Sequence, residues 1–188
     1  YCTEEQVRDE FKAVLQMHKD YYEKFRINQY WTRLSLHASD GEKFIEAGDR
    51  WEFAEGIVRE CLEDLDIPFT AERGEAAFYG PKVDFQIRNV IGREETASTN
   101  QLDFLVASRF GLKYKGEDGK EHEPYIIHRA PLGTHERFIA FLIEHFGGAF
   151  PTWMAPVQVR LIPVAEAFVD YAYEIQKMLH RQSFRVQL

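Results

Sequence analysis

Arg137 stands in the first turn of an amphipathic helix, where packing explains an arginine poorly. An apolar extended run, Pro124 to Arg129, leads through Gly133 into that helix, which carries Phe138, Ile139, Phe141, Leu142, Ile143 and Phe146 on its core-facing side. The helix opens on a buried-looking acid–base pair, Glu136-Arg137. A helix start is the positive end of the backbone dipole, so a cation there needs an anion beside it. A triphosphate is a natural candidate, because guanidinium forks match phosphate oxygens. An ion pair with Glu136 or another acid is the plain alternative, and on this residue alone the two are even. Upstream, Tyr79-Gly80-Pro81-Lys82 places a phenol and an ammonium around a forced turn that can aim both at one cleft. The plain reading there is a buried tyrosine and a solvated edge lysine. His128 sits in the apolar run, where a lone histidine is ordinarily a satisfied core residue. Thr99 and Gln101, with Thr96 and Ser98, read by themselves as an exposed strand face.

The elements that hold these residues follow from periodicity. Thr3-Glu-Glu-Gln6 is a capping box, and Val7, Phe11, Val14, Leu15, His18, Tyr22 and Phe25 then recur at helical spacing. Tyr30 to Leu36 reads as a strand, and His37 to Gly48 as a charged loop. Asp49 is expected to cap a second helix that buries Trp51, Ala54, Ile57, Val58, Cys61, Leu62 and Leu65 and stops at Pro68, before an extended piece from Phe69. Lys82 to Arg88 alternates strictly, with Val83, Phe85 and Ile87 on one face and Lys82, Asp84, Gln86 and Arg88 on the other. Glu94 to Phe104 repeats the theme, its polar row being Thr96, Ser98, Asn100 and Gln101. Two such antiparallel strands predict a polar cleft over a sheet. Lys115 to Lys120 carries the Asp-Gly signal of a hairpin turn. Beyond Gly147-Gly148, Pro151 and Pro156 bracket Trp153 as a stiff connector. Val157 to Ile162 then reads as a strand, Ala165 to His180 as a helix and Phe184 to Leu188 as a strand, opening a parallel α/β unit. The domain boundary is expected here, with 1–154 one domain and 155–188 the start of another.

The 188 residues carry 45% hydrophobic side chains, 15 Phe and 9 Tyr, enough for a full core. Two cysteines, Cys2 and Cys61, are too few for a disulfide framework and fit a cytoplasmic protein. No segment is long and apolar enough to cross a membrane, so no membrane partner is expected. A net charge of -8 argues against a simple basic nucleic-acid binder, yet leaves room for an enzyme that touches nucleic acid through a local patch. The chain starts without Met, and its last strand stops in mid-run, so a piece of a longer protein is expected.

An antiparallel sheet with polar rows, an arginine opening a late helix and an α/β unit beyond it resemble the class II aminoacyl-tRNA synthetases, an α+β fold with a helix-flanked antiparallel sheet. More narrowly, the chain resembles the threonyl-tRNA synthetase family. Seven ordered blocks carry the match: Cys2 to Gln6, Ala77 to Lys82, Gln101 to Phe104, Gly116 to Asp118, Ile127 to Ala130, Glu136 to Phe138 and Ala155 to Val159.

The resemblance implies an ATP-dependent ligase that activates threonine as its adenylate and transfers it to tRNA(Thr). It implies ATP with Mg2+, one Zn2+, a homodimer in the full-length protein, and an anticodon-binding domain beginning at 155. Arg137 then matches the arginine that binds the ATP γ-phosphate, and Thr99 a threonine near the nucleotide. Tyr79 and Lys82 match residues lining the threonine pocket, Gln101 a contact to the amino acid, and Thr134 a hydroxyl beside the metal. His128 matches one of three zinc ligands; the other two, a Cys and a His, would lie upstream of Tyr1, and Cys2 is not one of them. A metal taking both amine and hydroxyl would reject isosteric valine, which packing alone separates by only about 1–3 kcal/mol. Glu95 and Thr96 depart from the family's aromatic-Gln pair, so no nucleotide role passes to Thr96, and Pro131 and His135 depart as well. With family motif 1, the motif 2 arginine and two zinc ligands absent, the segment alone is expected to be inactive. The alternatives are another class II synthetase, such as a prolyl or seryl enzyme, and a non-catalytic tRNA-binding or regulatory module.

Overall fold

The computed structural model describes residues 1–38, 44 and 48–188; most of the loop expected between His37 and Gly48 lies outside the described residues. The chain divides into two compact units, 1–140 and 141–188.

In the first unit a 3-10 turn, Glu4–Gln6, leads into α1 (Val7–Lys24). Gln6 Oε1 accepts the Thr3 N–H at 3.0 Å, which is the glutamine half of the expected capping box. One stripe of α1, from Val7 through Phe11, Val14, Leu15 and His18 to Tyr22, is buried. Strand β1 (Tyr30–Leu36) is followed by α2 (Asp49–Asp64) and β2 (Phe69–Arg73). Strands β1 and β2 run parallel, Thr32 opposite Phe69 and Leu36 opposite Arg73, as a helical crossover requires. Gly48 is the N-cap of α2 and Asp49 its first helical residue, which corrects the expected cap; the helix also ends at Asp64, before Pro68 can act.

Strands β3 (Lys82–Arg88), β4 (Glu94–Asp103) and β7 (Ile126–Ala130) complete the sheet in the order β2-β1-β3-β4-β7. Every pairing within this sheet except β1–β2 is antiparallel. The expected antiparallel sheet is thus present with one parallel edge. Between β4 and β7 lie α3 (Val106–Arg109) and a hairpin of β5 (Tyr114–Lys115) and β6 (Glu121–His122), closed by Gly119 at φ 75°. Helix α1 covers one face of the sheet: the Phe85 ring meets His18 at 4.8 Å and Tyr22 at 5.5 Å. Beside Cys61, Leu62 and Val58 of α2, these residues form the core.

Helix α4 (His135–Phe146) begins in the first unit, and Gly147 and Gly148 end it with positive φ. Of its six expected core residues only Phe138 and Leu142 are buried, whereas Ile139 is 55% and Ile143 48% exposed. In the second unit β8 (Val159–Arg160) and β9 (Val186–Gln187) pair in parallel around a 3-10 turn, Glu166–Phe168, and α5 (Val169–Arg181). The βαβ order matches expectation, but β8 spans two residues rather than Val157 to Ile162, because only Val159 and Arg160 find a partner strand. No described helix is long and apolar enough to cross a membrane.

Candidate active site

A bulge in β4 decides which polar residues reach the open face of the sheet. Phe85 pairs with Ser98 and Gln86 with Thr96, so Ala97 is an extra residue in β4. The extra residue shifts the alternation. Thr96, Thr99, Gln101 and Asp103 stand on the face of Asp84 and Gln86, while Ser98 and Asn100 share the helix-covered face with Phe85 and Val83. Ser98 and Asn100 are buried beneath the helix; on the other face Asp84, Gln86 and Asp103 are buried too, while Thr96, Thr99 and Gln101 keep some exposure. This corrects the expected row of Thr96, Ser98 and Asn100.

On the open face three expected site residues form one lateral row. Lys82 of β3 pairs with Gln101 of β4, and Gln101 pairs with His128 of β7. Tyr79 joins them from the preceding turn: its hydroxyl donates to Gln101 Oε1, and its ring lies 5.5 Å from the His128 ring. Burial, and then the Asp103 carboxylate, raise the Tyr79 pKa, which keeps the phenol protonated as a donor. The turn is fastened to β4 by Leu102 N–H to Pro81 C=O (3.1 Å) and Phe104 N–H to Tyr79 C=O (3.2 Å). Between those bonds Gly80 lies so close to β4 that a Cβ would stand 1.8 Å from the Leu102 oxygen. Only glycine permits this approach.

Two acids that sequence reasoning did not select flank the row. The Lys82 ammonium sits 2.8 Å from Asp84 Oδ2, and Asp84 is almost wholly buried. His128 Nε2 lies 2.8 Å from Asp103 Oδ2; the Asp103 side chain is 0% and the His128 side chain 44% exposed. Each acid stands two positions along a strand from a chosen residue, Asp84 from Lys82 and Asp103 from Gln101. Period-two reasoning could have found both. Thr99 lies one row away, opposite Asp84 and Ala130, and its buried hydroxyl has no partner among the described residues.

A separate relay positions the start of α4. Tyr22 on α1 donates to Ser98 Oγ (2.7 Å), which donates to the Pro131 carbonyl (2.6 Å). Gly133, at φ 60°, brings the turn within 3.0 Å of the Ala97 oxygen, measured from where a Cβ would stand. The turn preceding α4 therefore docks on the bulge. Thr134 Oγ1 accepts the Arg137 N–H at 3.4 Å, the geometry of an N-cap. Glu136 and Arg137 are both exposed, which corrects the buried pair expected from sequence. Among the described residues no carboxylate pairs with the Arg137 guanidinium, and no hydrogen bond joins Thr134 or Arg137 to the lateral row.

The arrangement thus offers an amide, a phenol, an ammonium and an imidazole side by side, and at a helix start a guanidinium unpaired among the described residues. Among the described residues no three His, Cys, Asp or Glu side chains could hold a metal together. His128 can supply one nitrogen to a shared ion, with the carboxylate partner on its other nitrogen that metal-binding histidines commonly have.

The family model "tRNA synthetase class II core domain (G, H, P, S and T)" matches residues 1–146. The threonine–tRNA ligase of Geobacillus kaustophilus (strain HTA426) is 50% identical over 100% of this chain and 29% of its own length. That of Halalkalibacterium halodurans is 45% identical over 100% of this chain and 30% of its own length. The chain therefore spans about 30% of the length of these relatives. Among solved structures, the RNA binding domain of threonyl-tRNA synthetase from Cryptosporidium parvum Iowa II superposes with a TM-score of 0.88 at 31% identity, over 100% of this chain and 46% of that one. A putative threonyl-tRNA synthetase, ThrRS-1, from Aeropyrum pernix gives 0.78 at 32% identity, over 98% and 44%. Histidyl-tRNA synthetase of S. aureus, at 14% identity and a TM-score of 0.53, shares the fold.

Proposed function

We propose, since this chain belongs to the class II tRNA synthetase core-domain family, that it works as part of a cytoplasmic threonine–tRNA ligase. In this reading 1–154 is the C-terminal part of the catalytic domain and 155–188 begins an anticodon-binding domain. The observation that carries the reading is the lateral row Lys82–Gln101–His128, with Tyr79 bound to Gln101. A small zwitterion laid along the row meets a donor for its carboxylate at one end and a nitrogen ligand at the other.

The reaction joins a threonine carboxylate oxygen to the α-phosphorus of ATP and releases pyrophosphate; the threonyl group then passes to the terminal adenosine of tRNA(Thr). Lys82 is held by Asp84 where it can steady the negative charge of the carboxylate and the adenylate. Tyr79 and Gln101 orient the amino acid through their shared hydrogen bond. Thr99, whose buried hydroxyl lacks a partner among the described residues, stands one row from Gln101 on the side given to the nucleotide, and Thr134 lends a hydroxyl near the amino-acid end while capping α4. Arg137, without a carboxylate partner among the described residues and at the positive end of a helix, takes the γ-phosphate and neutralises departing pyrophosphate; Mg2+ bound with the ATP would share that charge. His128 would hold Zn2+ with ligands from outside this chain, and the bound ion would supply a Lewis-acid contact to both amine and hydroxyl that valine cannot fill. The full-length enzyme acts as a homodimer.

The test is zinc content and threonine-versus-valine activation in the full-length enzyme, with and without His128→Ala. Loss of zinc and of selectivity is expected. Unchanged zinc and selectivity would refute the ligand role, and activation of another amino acid in preference to threonine would refute the substrate. The 188-residue chain alone is expected to show no threonine-dependent pyrophosphate exchange.

A further inference from the structure

Among the described residues, Asp103 is the one acid whose carboxylate is wholly buried against a site histidine. One oxygen is committed to backbone: Oδ1 accepts the N–H groups of Leu105 and Val106, each at 2.9 Å, at the start of α3. The other, Oδ2, meets His128 Nε2 at 2.8 Å. The carboxylate cannot turn away without stranding two backbone donors. Its strand, β4, pairs directly with the strand of His128.

We propose that Asp103 is a positioning residue that fixes the tautomer and ring plane of His128, a proposal that rests on the reading of His128 as a metal ligand. A carboxylate only accepts hydrogen bonds, so the nitrogen facing it carries the proton. In a neutral imidazole the other nitrogen, Nδ1, then keeps its lone pair, which is the form a metal needs. The Tyr79 ring, 5.5 Å away, bounds the same imidazole from the side. His128 is nearly half exposed on an edge strand, so without Asp103 its ring would sample other rotamers and both tautomers.

Asp103→Asn separates the roles. An asparagine oxygen still accepts from Leu105 and Val106, while its amide donates toward Nε2 and drives the proton to Nδ1. The experiment uses the full-length enzyme with 15N-labelled histidine, the His128 signals being assigned by their loss in His128→Ala. In zinc-stripped wild type, at alkaline pH where the imidazole is neutral, an unprotonated Nδ1 is expected; in Asp103→Asn the proton moves to Nδ1, and zinc affinity measured against a competing chelator falls about 10–100-fold. A proton on Nδ1 in the wild type overturns the proposal without need of any variant. So does an unchanged tautomer in Asp103→Asn, or a changed tautomer with undiminished zinc affinity. Full zinc affinity in His128→Ala sinks the ligand reading itself and the proposal with it, whereas zinc lost in His128→Ala but no tautomer change in Asp103→Asn sinks the positioning role alone.

Discussion

Adding a single methyl group at Gly80 is expected to cost the fold and the site together. A Cβ at this position stands 1.8 Å from the Leu102 oxygen, 2.9 Å from its carbonyl carbon and 3.5 Å from the Asp103 Cα. All three neighbours are backbone of a central strand, so no side chain can swing aside. Relief requires the Tyr79–Pro81 turn to lift from β4 by more than an ångström, which breaks the Leu102–Pro81 and Phe104–Tyr79 bonds. Two backbone hydrogen bonds at about 1 kcal/mol each, with about 1–3 kcal/mol of overpacking, give a loss of roughly 3–5 kcal/mol for Gly80→Ala. Urea denaturation followed by tryptophan fluorescence measures it. In the full-length enzyme the same lift carries Tyr79 from Gln101, so threonine-dependent pyrophosphate exchange should fall with a raised KM for threonine. A destabilisation below about 1 kcal/mol would show that the turn yields freely, and the account of Gly80 would be wrong.

Burial lowers the pKa of His18, which has no ring-nitrogen partner among the described residues, from 6.5 to about 4. Its folded value lies below its unfolded one, so stability is full above about pH 6.5, declines as pH falls toward 4 and levels off below. The shift corresponds to about 3 kcal/mol, and His18→Leu should flatten the urea-midpoint profile over that window by this amount. Lys82→Met leaves the buried Asp84 carboxylate without its cation and should cost about 1–2 kcal/mol; Lys82→Met with Asp84→Asn should recover most of that stability in urea titrations while exchange activity stays low. Thr134→Ala removes the N-cap of α4 and should cost about 0.5–1 kcal/mol by thermal unfolding. A raised KM for threonine in Thr134→Ala, reversed by Thr134→Ser, would add the proposed substrate contact to the capping role.

Helices and strands were legible where one period ran unbroken. The stripe from Val7 to Tyr22 and the alternation of Lys82 to Arg88 each demand a single geometry, and the structure has it. The faces of β4 were not legible, because a bulge at Ala97 leaves no mark in composition and breaks the count by one. Asp49 resembled a cap, yet Gly48 adopts the cap position with φ 50°, which a glycine adopts at little cost. Of the candidate residues named from their blocks, the sheet register brings Lys82, Gln101 and His128 together, and a hydrogen bond to Gln101 adds Tyr79. Asp84 and Asp103 escaped notice because an acid on a strand reads as solvent-facing until a partner across the sheet is known.

The lateral row also works as a gauge. Its members stand on adjacent strands, so the ladder spacing of about 4.8 Å sets roughly 10 Å between the Lys82 and His128 backbones. No loop insertion or side-chain exchange alters that width; only a change in the number of strands between them would. Within such a frame a homologue can change the chemical groups along the row, but not the distance between its ends.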